Sequence, residues 1–287
     1  MLRLEALRSL LAEPRTLIMG VLNVTPDSFS DGGDFLDTTA AREHARAMIA
    51  EGADIIDIGG QSTRPPGKTY GTGAEEVTEA EERARVITLI QTLAAEFPNV
   101  LYSIDTVRST IAREAIDAGA DIINDVSAGT SDQAMFEVAA TLQAPIILMH
   151  GHGPEFKKES IEEYIYEDVT EEVSAWLKER IEAAREAGIS IVLADCGFGF
   201  AKTPHDNIRL LREHSRFVWL GVPMVLGVSR KSTIGKMLGD NVPPKERVYG
   251  SIGAAVFAAL NGAKIIRTHD VRATREALNV VDAIRYS

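Results

Sequence analysis

Short apolar runs rich in branched side chains recur at 17–22, 53–58, 100–104, 120–123, 145–149, 190–194, 223–228 and 263–266. Between them, apolar residues fall at helical spacing over 39–51, 75–96, 107–118, 131–142, 160–187, 206–214, 246–261 and 272–285. A strand that is apolar throughout is buried on both faces, as in a parallel sheet covered by helices. Eight strand–helix repeats are enough to close such a sheet, so the pattern predicts an α/β fold of the (β/α)8 TIM-barrel type. An open doubly wound sheet is the competing arrangement. Its phosphate-binding GxGxxG is missing, because the first strand runs into Asn23-Val24-Thr25-Pro26-Asp27-Ser28.

No linker, low-complexity tract or shift in composition marks a second domain. Residues 1–287 read as a single barrel domain in which 1–15 form an N-terminal helical extension. There Leu2, Leu4, Leu7, Leu10 and Leu11 lie at roughly helical spacing, and Arg3, Glu5 and Arg8 interrupt any signal-peptide core. No apolar run approaches the ~18 residues of a membrane span. The arginines also fit a mitochondrial presequence, but Glu5 and Glu13 count against one.

Composition narrows the function. A chain of 287 residues with 45% hydrophobic content can bury one large core. Its formal charge of −12 gives no electrostatic support for nucleic-acid binding or for attraction to an anionic membrane. An anionic ligand must therefore meet a local cluster of positive charge. The single cysteine, Cys196, rules out an intrachain disulfide and fits a reducing, cytoplasmic setting. With no cationic residue following it, a quiet buried thiol is favoured over a reactive one.

Barrel enzymes place their chemistry at the carboxyl ends of the strands, and all eight ends here are polar. They are Asn23, Asp57 leading to Gly59-Gly60-Gln61-Ser62-Thr63-Arg64, Asp105, Asn124 with Asp125, His150, Asp195, Ser229-Arg230-Lys231, and Arg267 with His269. Helix capping explains single Asp, Asn, Ser or Thr residues, but not Arg64, Lys231 and Arg267. The set sorts by charge. Asp105, Asn124 and Asp195 offer carboxylate and amide groups to a flat ring rich in N–H donors, since buried carboxylates are costly unless paired. Lys231, Arg267 and His269, from strands seven and eight, are expected to form a cationic corner, with Ser232-Thr233 opening a short helix behind it. The site asks for a donor-rich ring joined to an anionic group. After the first strand, Thr25 to Gly33 reads as a polar lid carrying one aromatic, Phe29, that has no apolar neighbours in sequence.

The motifs MGVLNVTPDSFSDGG at 19–33, ADIIDIGGQSTRP at 53–65, SIDT at 103–106, ADIINDVSAG at 120–129, ADCGFGFAKT at 194–203, LGVSRKS at 226–232 and IIRTHDV at 265–271 together resemble the dihydropteroate synthase family. The resemblance covers residues 17 to 285. It implies a TIM barrel that joins 6-hydroxymethyl-7,8-dihydropterin pyrophosphate to p-aminobenzoate, giving 7,8-dihydropteroate and pyrophosphate in folate synthesis. Carried over by residue, it places the pterin on Asp105, Asn124, Asp195 and Lys231. It places the pyrophosphate on Asn23, Thr63, Arg64, Arg267 and His269, with Mg²⁺ held by Asn23 and phosphate oxygens. The aminobenzoate falls near Phe29, Pro65, Lys231 and Ser232, and Asp31 joins Phe29 in the lid that excludes water. The resemblance also implies a homodimer and sulfonamides as inhibitors.

Other readings are weaker. His150-Gly151-His152 has metal-ligand spacing, but a zinc amidohydrolase barrel needs its paired histidines on strand one. Lys231-Ser232 lacks the upstream glycines of a P-loop. A methyltetrahydrofolate-binding methyltransferase module has no use for Arg267, His269 or the lid. A catalytically silent relative would be expected to have lost one of Asn23, Asp105, Asn124, Asp195, Lys231, Arg267 and His269, and all are present.

Three departures from the family pattern stand out. Gln61 replaces a common glutamate, Cys196 replaces the proline of the usual DPGFGF, and Pro66 to Gly73 makes the second loop about a half-dozen residues longer than short barrel loops require. Because that loop borders the aminobenzoate position, trimming residues 67–72 is predicted to change the sulfonamide inhibition constant; an unchanged constant rejects a role for the insertion.

Overall fold

In the computed structural model, eight parallel strands hydrogen-bond in sequence order and close on themselves. Residues 2–24, 33–60, 77–151, 153, 161–239 and 242–286 are described. The strands are β1 (Leu17–Asn23), β2 (Ile55–Gly59), β3 (Leu101–Asp105), β4 (Ile122–Asp125), β5 (Ile146–Met149), β6 (Val192–Asp195), β7 (Met224–Gly227) and β8 (Ala263–Thr268). Each falls on one of the apolar runs. The helices are α1 (Leu2–Ala12), α2 (Gly33–Ala50), α3 (Glu79–Glu96), α4 (Ser109–Ala118), α5 (Met135–Thr141), α6 (Val169–Glu186), α7 (Pro204–Arg212), α8 (Ser232–Leu238), α9 (Val248–Leu260) and α10 (Val271–Tyr286).

Side chains of a strand point alternately to opposite faces, and this rule divides the barrel. Outward residues such as Ile18, Leu22, Ile56, Ile58, Tyr102, Ile104 and Ile266 pack under the helices. Inward, Leu17, Met19, Ile55, Leu101, Ile122, Ile147, Leu193, Val225 and Ile265 fill the amino-terminal half of the interior as one dry cluster. Most of the next inward positions toward the carboxyl ends are polar, namely Asp57, Ser103, Asp105, Asn124, Asp195 and Arg267, with Val21 and Met149 the apolar exceptions. Parallel register aligns Asn23 with Gly59, Gly59 with Asp105, and Asp105 with Asn124.

The N-terminal helix closes the amino end. Leu7 of α1 is fully buried in the interior cluster, with Leu10 and Leu11 against it. Arg3 donates to Asp121 at 2.7 Å and to the Val100 carbonyl at 2.7 Å, and Arg15 forks onto Asp54 at 2.8 and 3.0 Å.

Three helices differ from the sequence expectation, and the first, α2, starts at Gly33 rather than at 39. The span 160–187 is broken into a 3₁₀ turn at Ile161–Glu163 and α6, because the Asp168 carboxylate accepts from the amides of Thr170 and Glu171 and caps a helix that starts there. The span 206–214 begins earlier, at Pro204, where Thr203 and Asp206 form a capping box that brackets the proline, and it passes into a 3₁₀ segment at His214–Leu220.

Leu7→Ala opens a cavity in the interior cluster and is predicted to cost about 2–5 kcal/mol in urea unfolding. Turnover at the opposite end of the barrel should be unaffected; a loss below 1 kcal/mol would show that α1 does not act as the plug.

Candidate active site

The mouth of the barrel is organised by one cation and two acids. Arg267 on β8 donates from Nε to Asp57 at 2.6 Å and from Nη2 to Asp105 at 2.9 Å. Asn124 directs its amide Nδ2 to the Asp57 carboxylate at 3.2 and 3.3 Å. Asp57, Asp105 and Asn124 are all buried. One guanidinium is thus shared by two carboxylates. Burial, reinforced by the charge of Asp57, pushes the Asp105 carboxyl up to about 7, against the pull of Arg267. Its Oδ1 is buried and has no hydrogen-bond partner among the described residues. A buried acceptor left open in this way is suited to a ligand N–H.

Asp195 ends β6, and the loop after it is bound to Lys231. The Gly197 amide donates to Asp195 Oδ1 at 2.7 Å. Gly197 has φ of 69°, and a Cβ there would lie 1.6 Å from the His150 carbonyl oxygen, so no other residue fits this turn. Gly199 lets Lys231 pass: a Cβ would lie 2.8 Å from its Cδ. The Lys231 ammonium donates to the Phe198 carbonyl and sits 4.5 Å from the centre of the Phe200 ring. Burial lowers Lys231 to about 8, with Asp195 opposing the shift. Burial also raises Asp195, with Lys231 opposing.

Behind this loop lies Lys202, which falls within the 194–203 motif but is given no role there. Lys202 is buried, and its ammonium donates to His150 Nδ1 at 2.8 Å and to the carbonyls of Phe200 and Gly197 at 3.0 and 3.2 Å. It ties the end of β5 to both sides of the loop. Burial and the Lys202 charge push His150 down to about 2, and its ring meets Trp176 edge-on at 5.0 Å. His150 is therefore engaged in the fold; its partner in the sequence pair, His152, lies outside the described residues, among which no cluster of three metal-ligating side chains occurs. Cys196 is fully buried, and burial with the neighbouring Asp195 charge pushes its thiol up to about 12, as expected of a quiet thiol.

The expected cationic corner is only partly realised. Arg267 faces the acids, and burial, with Arg267 as the second cause, lowers His269 to about 3, so that the imidazole is neutral. Its Nδ1 lies 3.1 Å from Ser229 Oγ. Arg230 is turned away, forked onto Asp270 with Nε at 3.0 Å. Asn23 is half-buried at the end of β1, and Ser232 opens α8 directly after Lys231. The structure brings Asn23, Asp105, Asn124, Asp195, Lys231, Arg267 and His269 to one end of the barrel. Phe29, Asp31, Thr63, Arg64 and Pro65, with Gln61 and the long second loop, lie outside the described residues. Asp57 was visible in sequence as a polar strand end without an assigned role; its place on an inward-facing position was the available signal.

The sequence profile of the family described as "Pterin binding enzyme" matches residues 19–269. The dihydropteroate synthase of a Synechocystis species is 44% identical over 272 residues, covering 94% of this chain and 90% of that protein. The structure of Xanthomonas albilineans dihydropteroate synthase with 4-aminobenzoic acid superposes with a TM-score of 0.86 at 42% identity, covering 96% of this chain and 94% of that one. The Yersinia pestis dihydropteroate synthase in complex with a sulfonamide drug superposes with a TM-score of 0.83 at 41% identity, covering 94% of each.

A raised carboxyl pKa means that the folded chain holds a proton which the unfolded chain has released. Asp105 therefore contributes stability that is present below about pH 4 and lost as pH rises through about 7. Asp105→Asn removes that titration, so its stability relative to the parent should improve between pH 4 and pH 8 by on the order of a few kcal/mol. A difference that stays flat in urea titrations across this range would place Asp105 at an ordinary carboxylate pKa.

Proposed function

As a member of the pterin-binding enzyme family, and within it of the dihydropteroate synthases, this chain condenses 6-hydroxymethyl-7,8-dihydropterin pyrophosphate with p-aminobenzoate, and we propose that the mouth described above is where it does so. The observation that carries this assignment is the convergence of Asp105, Asn124, Asp195, Lys231, Arg267 and His269 at the carboxyl end of one barrel. In this reading the open Asp105 Oδ1, Asn124 and the Asp195 carboxylate receive the N–H edge of the pterin, and Lys231 sits against the ring near Phe200. Arg267 keeps Nε and Nη2 on Asp57 and Asp105, which leaves Nη1 for a phosphate oxygen. His269, Asn23, Thr63 and Arg64 complete the pyrophosphate site. Phe29, Pro65 and Ser232 border the aminobenzoate, and sulfonamides would occupy the same place.

Asn23 would hold Mg²⁺. The donor set suits that ion, because Asn23 presents a hard amide oxygen and no dedicated three-ligand cluster competes among the described residues. When bound, Mg²⁺ supplies neutralisation of pyrophosphate charge.

The bond from the pterin methylene to the pyrophosphate oxygen breaks first, and its electron pair leaves with pyrophosphate beside Arg267 and His269. The positive charge left on the methylene spreads into the dihydropterin ring, where Asp105 and Asp195 stabilise it electrostatically. The lid with Phe29 and Asp31 keeps water away. The aryl amine then forms the new carbon–nitrogen bond and sheds its proton without a dedicated strong base.

The homodimer finds support in α9 and α10. Tyr249, Phe257 and Leu260 lie along one stripe of α9, and Val280 and Ile284 are exposed on the neighbouring α10. Four alanines of the same α9, Ala254, Ala255, Ala258 and Ala259, turn into the core. No helix among the described residues is long and apolar enough to cross a membrane.

Pyrophosphate release that depends on p-aminobenzoate and yields dihydropteroate is the test of the assignment. In calorimetry, Lys231→Ala and Asp195→Asn are predicted to lose dihydropterin pyrophosphate binding. Near-normal binding in either variant would remove these residues from the pterin site.

A further inference from the structure

Ser229 follows β7 and is 7% exposed. Its hydroxyl accepts from the backbone amide of His269 at 3.2 Å and lies 3.1 Å from Nδ1 of the same residue. Both contacts cross from the β7 end to the β8 end of the mouth, over 40 residues of chain. A serine hydroxyl has one proton to give. With one lone pair taken by the His269 amide, no acceptor for that proton other than Nδ1 is found among the described residues. When the hydroxyl gives this proton to Nδ1, the ring's own proton is left on Nε2, because the bond made by one imidazole nitrogen sets the protonation of the other. A second ring proton is disfavoured by burial and by the charges of Arg267, Arg230 and Lys231, which Asp270 only partly offsets.

We infer that Ser229 is a positioning residue that holds His269 in the Nε2–H tautomer, so that the histidine meets the departing pyrophosphate as a neutral, directed hydrogen-bond donor rather than as a cation. The inference deepens the assignment of His269 to the pyrophosphate site and rests on it. Charge neutralisation then belongs to Arg267 and its cationic neighbours, and His269 adds direction. The backbone bond fixes the approach of the residue, and the side-chain bond fixes its proton.

The test is ¹⁵N NMR of the full chain with labelled histidine, the His269 ring being assigned by its loss in His269→Gln. In the parent, Nδ1 should be the pyridine-like and Nε2 the pyrrole-like nitrogen. Ser229→Ala should lose this single-tautomer signature and weaken inhibition by inorganic pyrophosphate about tenfold. Ser229→Thr, which keeps the hydroxyl, should restore both and so separates the hydroxyl's role from packing. A protonated Nδ1 in the parent, or an unaltered ring in Ser229→Ala, overturns the role given to Ser229. Pyrophosphate inhibition unchanged in His269→Gln and His269→Ala overturns the pyrophosphate assignment instead, a failure distinguishable because the ring signature is read in the ligand-free protein.

Discussion

The Arg267 guanidinium bonds Asp57 and Asp105 at once, inside a barrel whose lower half is hydrocarbon. Two carboxylates in such a place would repel each other and resist burial, and removing the shared cation would leave uncompensated buried charge, which is far costlier than the net worth of the pair. The bond partners are 210 and 162 residues apart and come from β8, β2 and β3. The same contact therefore pins the last strand to the second and third and holds the acidic wall in place. Asn124 attaches to this pair through Asp57, and the open oxygen of Asp105 exists because its other oxygen is already committed to Arg267.

The opposite wall is built differently. There the backbone does the fixing: Gly197 and Gly199 permit a turn that no side chain could enter, and Lys202 gathers the carbonyls left over. An ammonium with three protons among oxygen and nitrogen acceptors satisfies several buried polar groups at once. Lys231 is thereby set against a rigid surface of Phe198 and Phe200, while Asp195 is oriented from below by the Gly197 amide. A site made of preset dipoles and charges needs little rearrangement when charge develops on a bound ring.

Strand number, order and closure were legible in the sequence because fully buried strands produce unbroken apolar runs, and because the period-two alternation makes Asp57, Asp105, Asn124 and Asp195 conspicuous at their ends. Local breaks were less so: Asp168 divides a segment whose helical spacing runs through it, since a cap acts through geometry rather than periodicity. The chemistry of single groups was hidden further. His269 reads as a cation from its neighbours Arg267 and Lys231, yet burial makes it neutral. Lys202 carries no role in the sequence reading and is buried. Such states depend on contacts between residues dozens to hundreds of positions apart, which no window of sequence contains.

Because α1 stoppers the amino end and the interior below the polar layer is filled, the barrel is a cul-de-sac. Traffic in a cul-de-sac is ordered by depth. On the assignment proposed above, the pterin lies against Asp105 and Asn124, at 5% exposure each, and the aminobenzoate lies toward the loops, so an early aminobenzoate stands in the doorway of its own co-substrate. On that assignment, depth alone would set a queue at the open end, with pterin entering before aminobenzoate.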